Sequence, residues 1–307
     1  MVPCDFDDDG DIDLFVANDR DLNHLWRNDT RPGGVISLKD VALEAGVATD
    51  GQGAIESCMG ADWGDFDRDG DFDLFVSNMA FETNTLYRRE PDATFSDRTD
   101  VLGLGRPSLM WVGSGAKFTD QDLDGDLDLA LLNGHVLDNV ERFDSTQRFA
   151  QQAVLFVQGG DGRFAIAADA GPYFAERHVA RGLAAGDLDG DGDVDLVAVH
   201  RSEGPELLEN LAIGAGRAGP AWIGVDLRGK GGNSRAIGAR VECVAGGRRQ
   251  MEEVRGAGSY AAWNDTRIVF GLGAHRGPVN LRVRWPGGLT TEHADVATGR
   301  YLALSAP

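Results

Sequence analysis

Four times along the chain an aspartate leads into a short apolar run. Asp13–Asn18 reads DLFVAN, Asp73–Asn78 reads DLFVSN, Asp128–Asn133 reads DLALLN and Asp195–His200 reads DLVAVH. Brief apolar runs bounded by polar residues fit strands buried on both faces, and they are too short for helices. A second apolar pair follows each run, at Leu25-Trp26, Leu86-Tyr87 and Leu207-Leu208. The third unit delays its pair to Leu155-Phe156, which predicts an insertion of roughly 15 residues around Asn133–Gln152. Phe95 and Phe164 then open a further aromatic strand. Each unit therefore reads as three or four short strands.

The stretch before each run is acidic and repeats as closely as the run itself. Asp5, Asp65, Asp120 and Asp187 begin the four copies and stand 60, 55 and 67 residues apart. A glycine lies five residues before the first aspartate of the later copies, at Gly60, Gly115 and Gly182. A period near 60 residues with several strands in each predicts propeller blades and not a helical solenoid. Propellers hold ~4–8 blades, so four copies beginning at Met1 predict part of a ring, from a longer product; a complete four-bladed ring is the alternative. From about Pro220 the acidic loops stop. Trp222–Leu227, Gly238–Ala245, Arg248–Val254, Arg267–Leu272, Val279–Trp285 and Leu302–Leu304 read as strands, with hairpin and turn signals at Gly246-Gly247 and Pro286–Gly288. The expected architecture is all-β: a (partial) β-propeller over 1–216, followed by a small antiparallel β domain over 217–307.

Charge sharpens this picture. The net charge is −21, and the four loops alone hold 21 aspartates, which leaves 29 other acids against the chain's 29 Lys and Arg. The acidity belongs to sites, and it argues against nucleic-acid binding, which needs a basic footprint. No run approaches the ~18 apolar residues of a membrane span. Cys4, Cys58 and Cys243 form no CxxC pair and no even framework; a Cys4–Cys58 disulfide and buried free thiols both fit. No basic and apolar leader precedes the first loop.

The candidate chemistry lies in the loops. Asp5, Asp7, Asp9, Asp11 and Asp13 occupy positions 1, 3, 5, 7 and 9 of the first. Asp65, Asp67, Asp69, Asp71 and Asp73 fill the second, Asp120, Asp122, Asp124, Asp126 and Asp128 the third, and Asp187, Asp189, Asp191, Asp193 and Asp195 the fourth. Such runs repel themselves unless a cation neutralises them, and alternating carboxylates around a position-6 glycine suit calcium, with about one ion per loop. Positions 1, 3, 5 and 9 are expected to offer side-chain oxygens. Position 7 is expected to offer its backbone carbonyl, with its side chain outward. An EF-hand needs a bidentate Glu at position 12, and Val16, Val76, Leu131 and Ala198 stand there instead. The loops are expected to be a β-hairpin variant, and magnesium, which prefers a near-ideal octahedron with retained waters, fits them less well.

These loops, with the upstream Gly60-Ala-Asp-Trp63-Gly64, resemble the FG-GAP (VCBS, integrin-alpha-like) repeat over residues 1 to about 215. Asn233–Val241, Glu253–Tyr260, Asn264-Asp265, Phe270–Gly273 and Val283–Gly287 resemble the ASPIC/UnbV domain over about 225–304. The combination resembles the cartilage acidic protein family in its bacterial form, with Ala262, Trp263 and Gly287 departing from the usual residues. The resemblance implies a secreted, periplasmic or cell-surface protein that acts as a binding or adhesion module for an unknown protein or glycan, with structural calcium. It also leaves open an enzyme or accessory protein of enediyne-type natural-product biosynthesis, which predicts a polar pocket near His135, Asn264 or Asp265. A calcium-dependent carbohydrate-binding protein is the third reading, with Trp26, Trp111 and Trp263 as candidates. No HExxH motif, nucleophile elbow or phosphate loop is present, so no catalytic residue is assigned.

Overall fold

The computed structural model describes residues 1–31, 33–213 and 219–307. Its first part is four successive antiparallel meanders. The first holds β1 (Val2–Cys4), β2 (Asp13–Val16), β3 (His24–Asn28) and β4 (Leu38–Asp40). The second holds β5 (Ala61–Gly64), β6 (Asp73–Val76), β7 (Thr85–Arg89) and β8 (Phe95–Asp97). The third holds β9 (Gly113–Thr119), β10 (Asp128–Asn133), β11 (Val154–Gln158) and β12 (Phe164–Ile166). The fourth, with three strands, holds β13 (Ala180–Gly186), β14 (Asp195–His200) and β15 (Glu206–Leu208). The expected insertion lies between β10 and β11.

The sheets stack face to face, which explains the apolar runs. In β6, Leu74 and Val76 join Phe15, Leu25 and Trp63 in the core between the first two sheets. Phe75 points the other way and joins Phe118, Leu129 and Phe156 in the core between the second and third. A strand alternates its side chains between faces, so a middle sheet must be apolar on both. The first strand of each sheet lies beside the first strand of the next, β1 by β5, β5 by β9 and β9 by β13. The repeated upstream glycines serve this approach. A Cβ on Gly60 would meet the Ser114 carbonyl at 1.9 Å, and one on Gly115 would meet the Arg181 carbonyl at 2.8 Å.

The C-terminal part is a second all-β unit. One sheet has the order β18 (Arg248–Glu253), β17 (Arg240–Ala245), β22 (Val279–Arg284), β23 (Thr290–Val296), and another has β21 (Ile268–Gly273), β16 (Ala221–Arg228), β24 (Tyr301–Ser305). A two-stranded ribbon, β19 (Ala257–Gly258) and β20 (Ala262–Trp263), completes it. Every pairing is antiparallel except β16 with β24, where the final strand returns parallel. Ile223, Val241, Phe270 and Val283 lie in its own core. The expected domain boundary at 216/217 lies outside the described residues. Cys4, Cys58 and Cys243 are all buried free thiols.

Residues 255–265, the ribbon included, run along the first strands of the repeats. Ser259 N donates to the Ala61 carbonyl (2.9 Å) and its Oγ accepts from Ala116 N (3.1 Å). Ala185 N donates to Asn264 Oδ1 (3.0 Å), and Asp265 N returns a bond to the Ala185 carbonyl (3.0 Å). At Gly182, where another sheet would follow, a Cβ would meet the Tyr260 carbonyl at 3.2 Å. The C-terminal segment stands where the next repeat's strand would stand.

Candidate metal centres

Each acidic loop closes the hairpin between the first and second strands of its sheet, as Cys4 pairs with Asp13, Gly64 with Asp73, Thr119 with Asp128 and Gly186 with Asp195. The flanking elements are strands, in agreement with the exclusion of an EF-hand. Gly10, Gly70, Gly125 and Gly192 have φ of 98°, 94°, 91° and 104°, the left-handed bend expected at position 6. Position 4 is left-handed too, at Asp8, Arg68, Leu123 and Gly190, which the sequence reading missed.

The same hydrogen bonds recur in all four loops. The position-1 carboxylate accepts from the position-6 glycine: Asp5 from Gly10 (3.1 Å), Asp65 from Gly70 (3.3 Å), Asp120 from Gly125 (2.9 Å) and Asp187 from Gly192 (3.0 Å). The position-5 carboxylates of Asp9, Asp69, Asp124 and Asp191 accept from the N–H of position 7 at 2.8 to 3.1 Å. Position 9 ties the loop to its sheet. One oxygen of Asp13, Asp73, Asp128 and Asp195 accepts from the N–H at position 2, and the other accepts from Asn28, Arg89, Gln158 or Asn210 at the far end of the third strand, all at 2.8 to 3.3 Å.

Carboxylate oxygens converge in each loop. Asp5, Asp7 and Asp13 each bring one oxygen to within 4.8 Å of the others, as do Asp65, Asp67 and Asp73, and Asp187, Asp189 and Asp195. In the third loop the group is Asp120, Asp122 and Asp124, so Asp128 lies outside it. Asp9, Asp69 and Asp191 lie outside the groups of their own loops, as does every position-7 side chain. The position-7 side chains take other partners. Asp71 pairs with Arg89, Asp126 with Arg68 and Arg248, and Asp193 Oδ2 accepts from Ile213 N (2.8 Å). Asp126 and Asp193 are buried, so these two do not point outward into solvent as expected.

These residues fit a hard cation. Asp5 Oδ1, Asp7 Oδ1 and Asp65 Oδ2 are buried and have no hydrogen-bond partner. A buried charged oxygen without a partner carries its full desolvation penalty. Burial accordingly drives the carboxyls upward: Asp13 to about 8, Asp65 and Asp128 to about 7, and Asp73 and Asp120 well above the ordinary value, with neighbouring aspartates adding to the shift. A divalent ion would hold the group at positions 1, 3 and 9, or 1, 3 and 5 in the third loop, and would supply the missing positive charge.

All four loops face the C-terminal unit. Arg240 and Arg284 reach Asp5 and Asp8, and Arg249 lies over Gly70. Arg248 pairs with Asp126 (3.0 Å), and Gln250 lies beside Gly125. At the fourth loop, Tyr301 Oη donates to Asp187 Oδ2 (2.6 Å), Arg267 reaches the Asp187 carbonyl, and Trp222 lies so close that a Cβ on Gly192 would meet it at 1.8 Å. Beneath them Arg255 is buried, donating to the Trp63 carbonyl (2.9 Å) and pairing with Glu252, with its guanidinium 4.8 Å from the Phe72 ring centre.

A cavity of about 110 Å³ lies between the two units, with Lys117, Glu252, Arg255, Asn264 and Asp265 in its lining. That volume suits a few waters and is well below the ~300–1,000 Å³ of small-molecule pockets. His135 does not line it. That histidine is buried in the insertion, where its Nδ1 accepts from Leu137 N (3.0 Å) and burial lowers its pKa. Trp26 is half-buried beside His24, whereas Trp263 is 62% exposed.

The FG-GAP-like repeat family matches residues 5–76 and 65–131, which covers the first two loops and the third. The ASPIC and UnbV family matches residues 229–307. No curated protein matches the chain. The fourth loop lies beyond the matched repeats, yet its hydrogen bonds repeat theirs. The chain joins FG-GAP-like repeats to a C-terminal ASPIC and UnbV domain.

Proposed function

We propose that this protein is a calcium-stabilised, extracytoplasmic binding module whose four repeat sheets are blades of a propeller. FG-GAP-like repeats are typical of extracellular proteins, and calcium is abundant enough there to fill sites of modest affinity. The observation that carries calcium is the set of buried carboxylate oxygens without partners at Asp5, Asp7 and Asp65. The ions are structural. Each loop is held both to its own sheet, through position 9, and to the C-terminal domain above it, so one ion would fasten three pieces of chain together. Ligand recognition then falls to surfaces away from the loops.

Equilibrium dialysis against calcium, after stripping with EGTA, tests the reading. The expected stoichiometry is about four ions per chain, one for each loop. Binding of less than one ion per chain would overturn the proposal. The expected binding is unaffected by an excess of magnesium, whose octahedral preference suits these loops less well.

A further inference from the structure

The fourth repeat departs from its relatives at one corner. His200 stands where Asn78 stands in the second repeat, five residues past the position-9 aspartate in both. The register extends the match: Ala198 pairs with Glu206 as Val76 pairs with Thr85, and His178 precedes Asp187 by the nine residues that separate Glu56 from Asp65. In the second repeat this corner is an ordinary hydrogen-bonded trio. Glu56 Oε2 accepts from Asn78 Nδ2 (2.8 Å) and from Thr85 Oγ1 (2.9 Å). In the fourth, all three equivalents are residues that ligate metals, and Glu203 joins them.

We propose that His178, His200, Glu203 and Glu206 form a binding site for a divalent transition-metal ion of the zinc type. One atom from each of the four lies within 4.8 Å of the others. His178 Nδ1 is 3.4 Å from Glu203 Oε2 and 3.9 Å from Glu206 Oε1, and His200 Nδ1 is 4.0 Å from Glu203 Oε2. Tetrahedral zinc with bonds of about 2.0–2.1 Å separates its ligand atoms by roughly 3.3 Å, so small rotations of the two glutamates close the shell. Two imidazoles with two carboxylates suit zinc and its neighbours, not the all-oxygen preference of calcium.

The surroundings are built for the imidazoles. The side chain of His200 has no exposed surface, and Tyr173 Oη lies 3.0 Å from its Nε2, the kind of outer contact that fixes a ligating ring and its tautomer. Tyr173 also stacks on His178 with centroids 4.4 Å apart, and the two histidines stack at 4.9 Å. His178 is buried, and its Nε2 has no partner. Its Nδ1 faces both glutamates, so that nitrogen is the one the ion would take. His200 Nδ1 donates to the Gly204 carbonyl (3.0 Å), and the ion would displace that hydrogen bond. Both glutamates are exposed, so an ion can enter from solvent. The site joins the residues before β13, the end of β14 and the start of β15, and so clamps the repeat sheet that has three strands among the described residues.

Isothermal titration with Zn2+, in buffer that keeps the aspartate loops saturated with calcium, tests the site. The wild-type chain is expected to bind one zinc ion. The Glu203→Gln/Glu206→Gln pair changes only exposed carboxylates, and it is expected to weaken zinc binding by tenfold or more with calcium stoichiometry unchanged. His178→Ala is expected to abolish the zinc step. Zinc is also expected to raise the melting temperature of the wild type and not of the glutamate variant. Absence of zinc binding to the wild type would overturn the proposal. So would zinc binding that the glutamate variant retains in full, because the ion would then reside elsewhere.

Discussion

The two sides of the interface between the repeats and the C-terminal domain carry opposite charge in opposite ways. On the repeat side, 21 aspartates are concentrated in four short loops. On the other side, residues 219–307 hold twelve Arg and Lys against seven Asp and Glu, spread over several strands. Arg240, Arg248, Arg249, Arg267 and Arg284 reach the loops, and they are too few to balance them. The arginines reach one oxygen of Asp5, Asp8, which lies outside the repeating aspartate pattern, Asp126 at position 7, and backbone carbonyls. The inner oxygens at positions 1 and 3 are left unmatched in the first loop. The domain fixes where the loops sit, and on the proposed reading a cation sets what charge they carry.

Removing that cation is the strongest way to break the arrangement. EGTA is expected to lower the melting temperature by about 10 °C or more, since four filled sites each contribute through mass action. An unchanged melt by scanning calorimetry would show that the arginines suffice. Next comes the deepest link between the two sides. Arg255→Ala strands the Glu252 carboxylate and leaves the Trp63 carbonyl unpaired, and it is expected to cost about 3–5 kcal/mol in urea unfolding. A loss under 1 kcal/mol would demote Arg255 to a bystander.

Positions within one loop sharpen the contrast. Asp73 accepts two backbone N–H groups while being buried, whereas the Asp71 side chain meets Arg89 near the surface. Asp73→Ala is expected to destabilise by about 2–4 kcal/mol, and Asp71→Ala by about 1 kcal/mol or less. Equal losses in the two variants would refute the separate roles of positions 9 and 7.

A further contrast is a pH dependence of the calcium-free protein. Asp13, Asp65 and Asp128 have carboxyls raised to about 7 or 8 by burial. Folding therefore raises their proton affinity, and the folded state holds protons that the unfolded state has released. Stability should fall as pH climbs from the ordinary carboxylate range near 4 to about 8. Calcium is expected to flatten that slope, because the ion replaces the protons. A calcium-free melt that is flat between pH 5 and pH 8 would contradict the burial of uncompensated acid.

Much of this was legible in the chain. The loops announce themselves because each ligand position recurs at a fixed spacing, and the strands because Leu74, Phe75 and Val76 must satisfy two cores at once. Sequence spacing carries no record of contacts between distant segments. Nothing near Gly182 predicts that the Tyr260 carbonyl will lie against it, and nothing in the loops predicts that all four face one domain. His178 and His200 escaped notice for the same reason. They are 22 residues apart, one just before β13 and the other at the end of β14, and meet because those strands pair in register. The available signal was the substitution of His200 into a column that otherwise holds Asn18, Asn78 and Asn133.

The contact between Arg284 and Asp5 joins residues 279 positions apart. A ribosome adding about 5–20 residues per second needs on the order of tens of seconds to cover that distance. Throughout that interval Asp5 exists without Arg240 and Arg284, and the arginines made earlier, Arg27 and Arg89, approach Asp7 and Asp8 instead. The timing of synthesis thus leaves Asp5 without a cation of the protein's own until the C-terminal domain has been made.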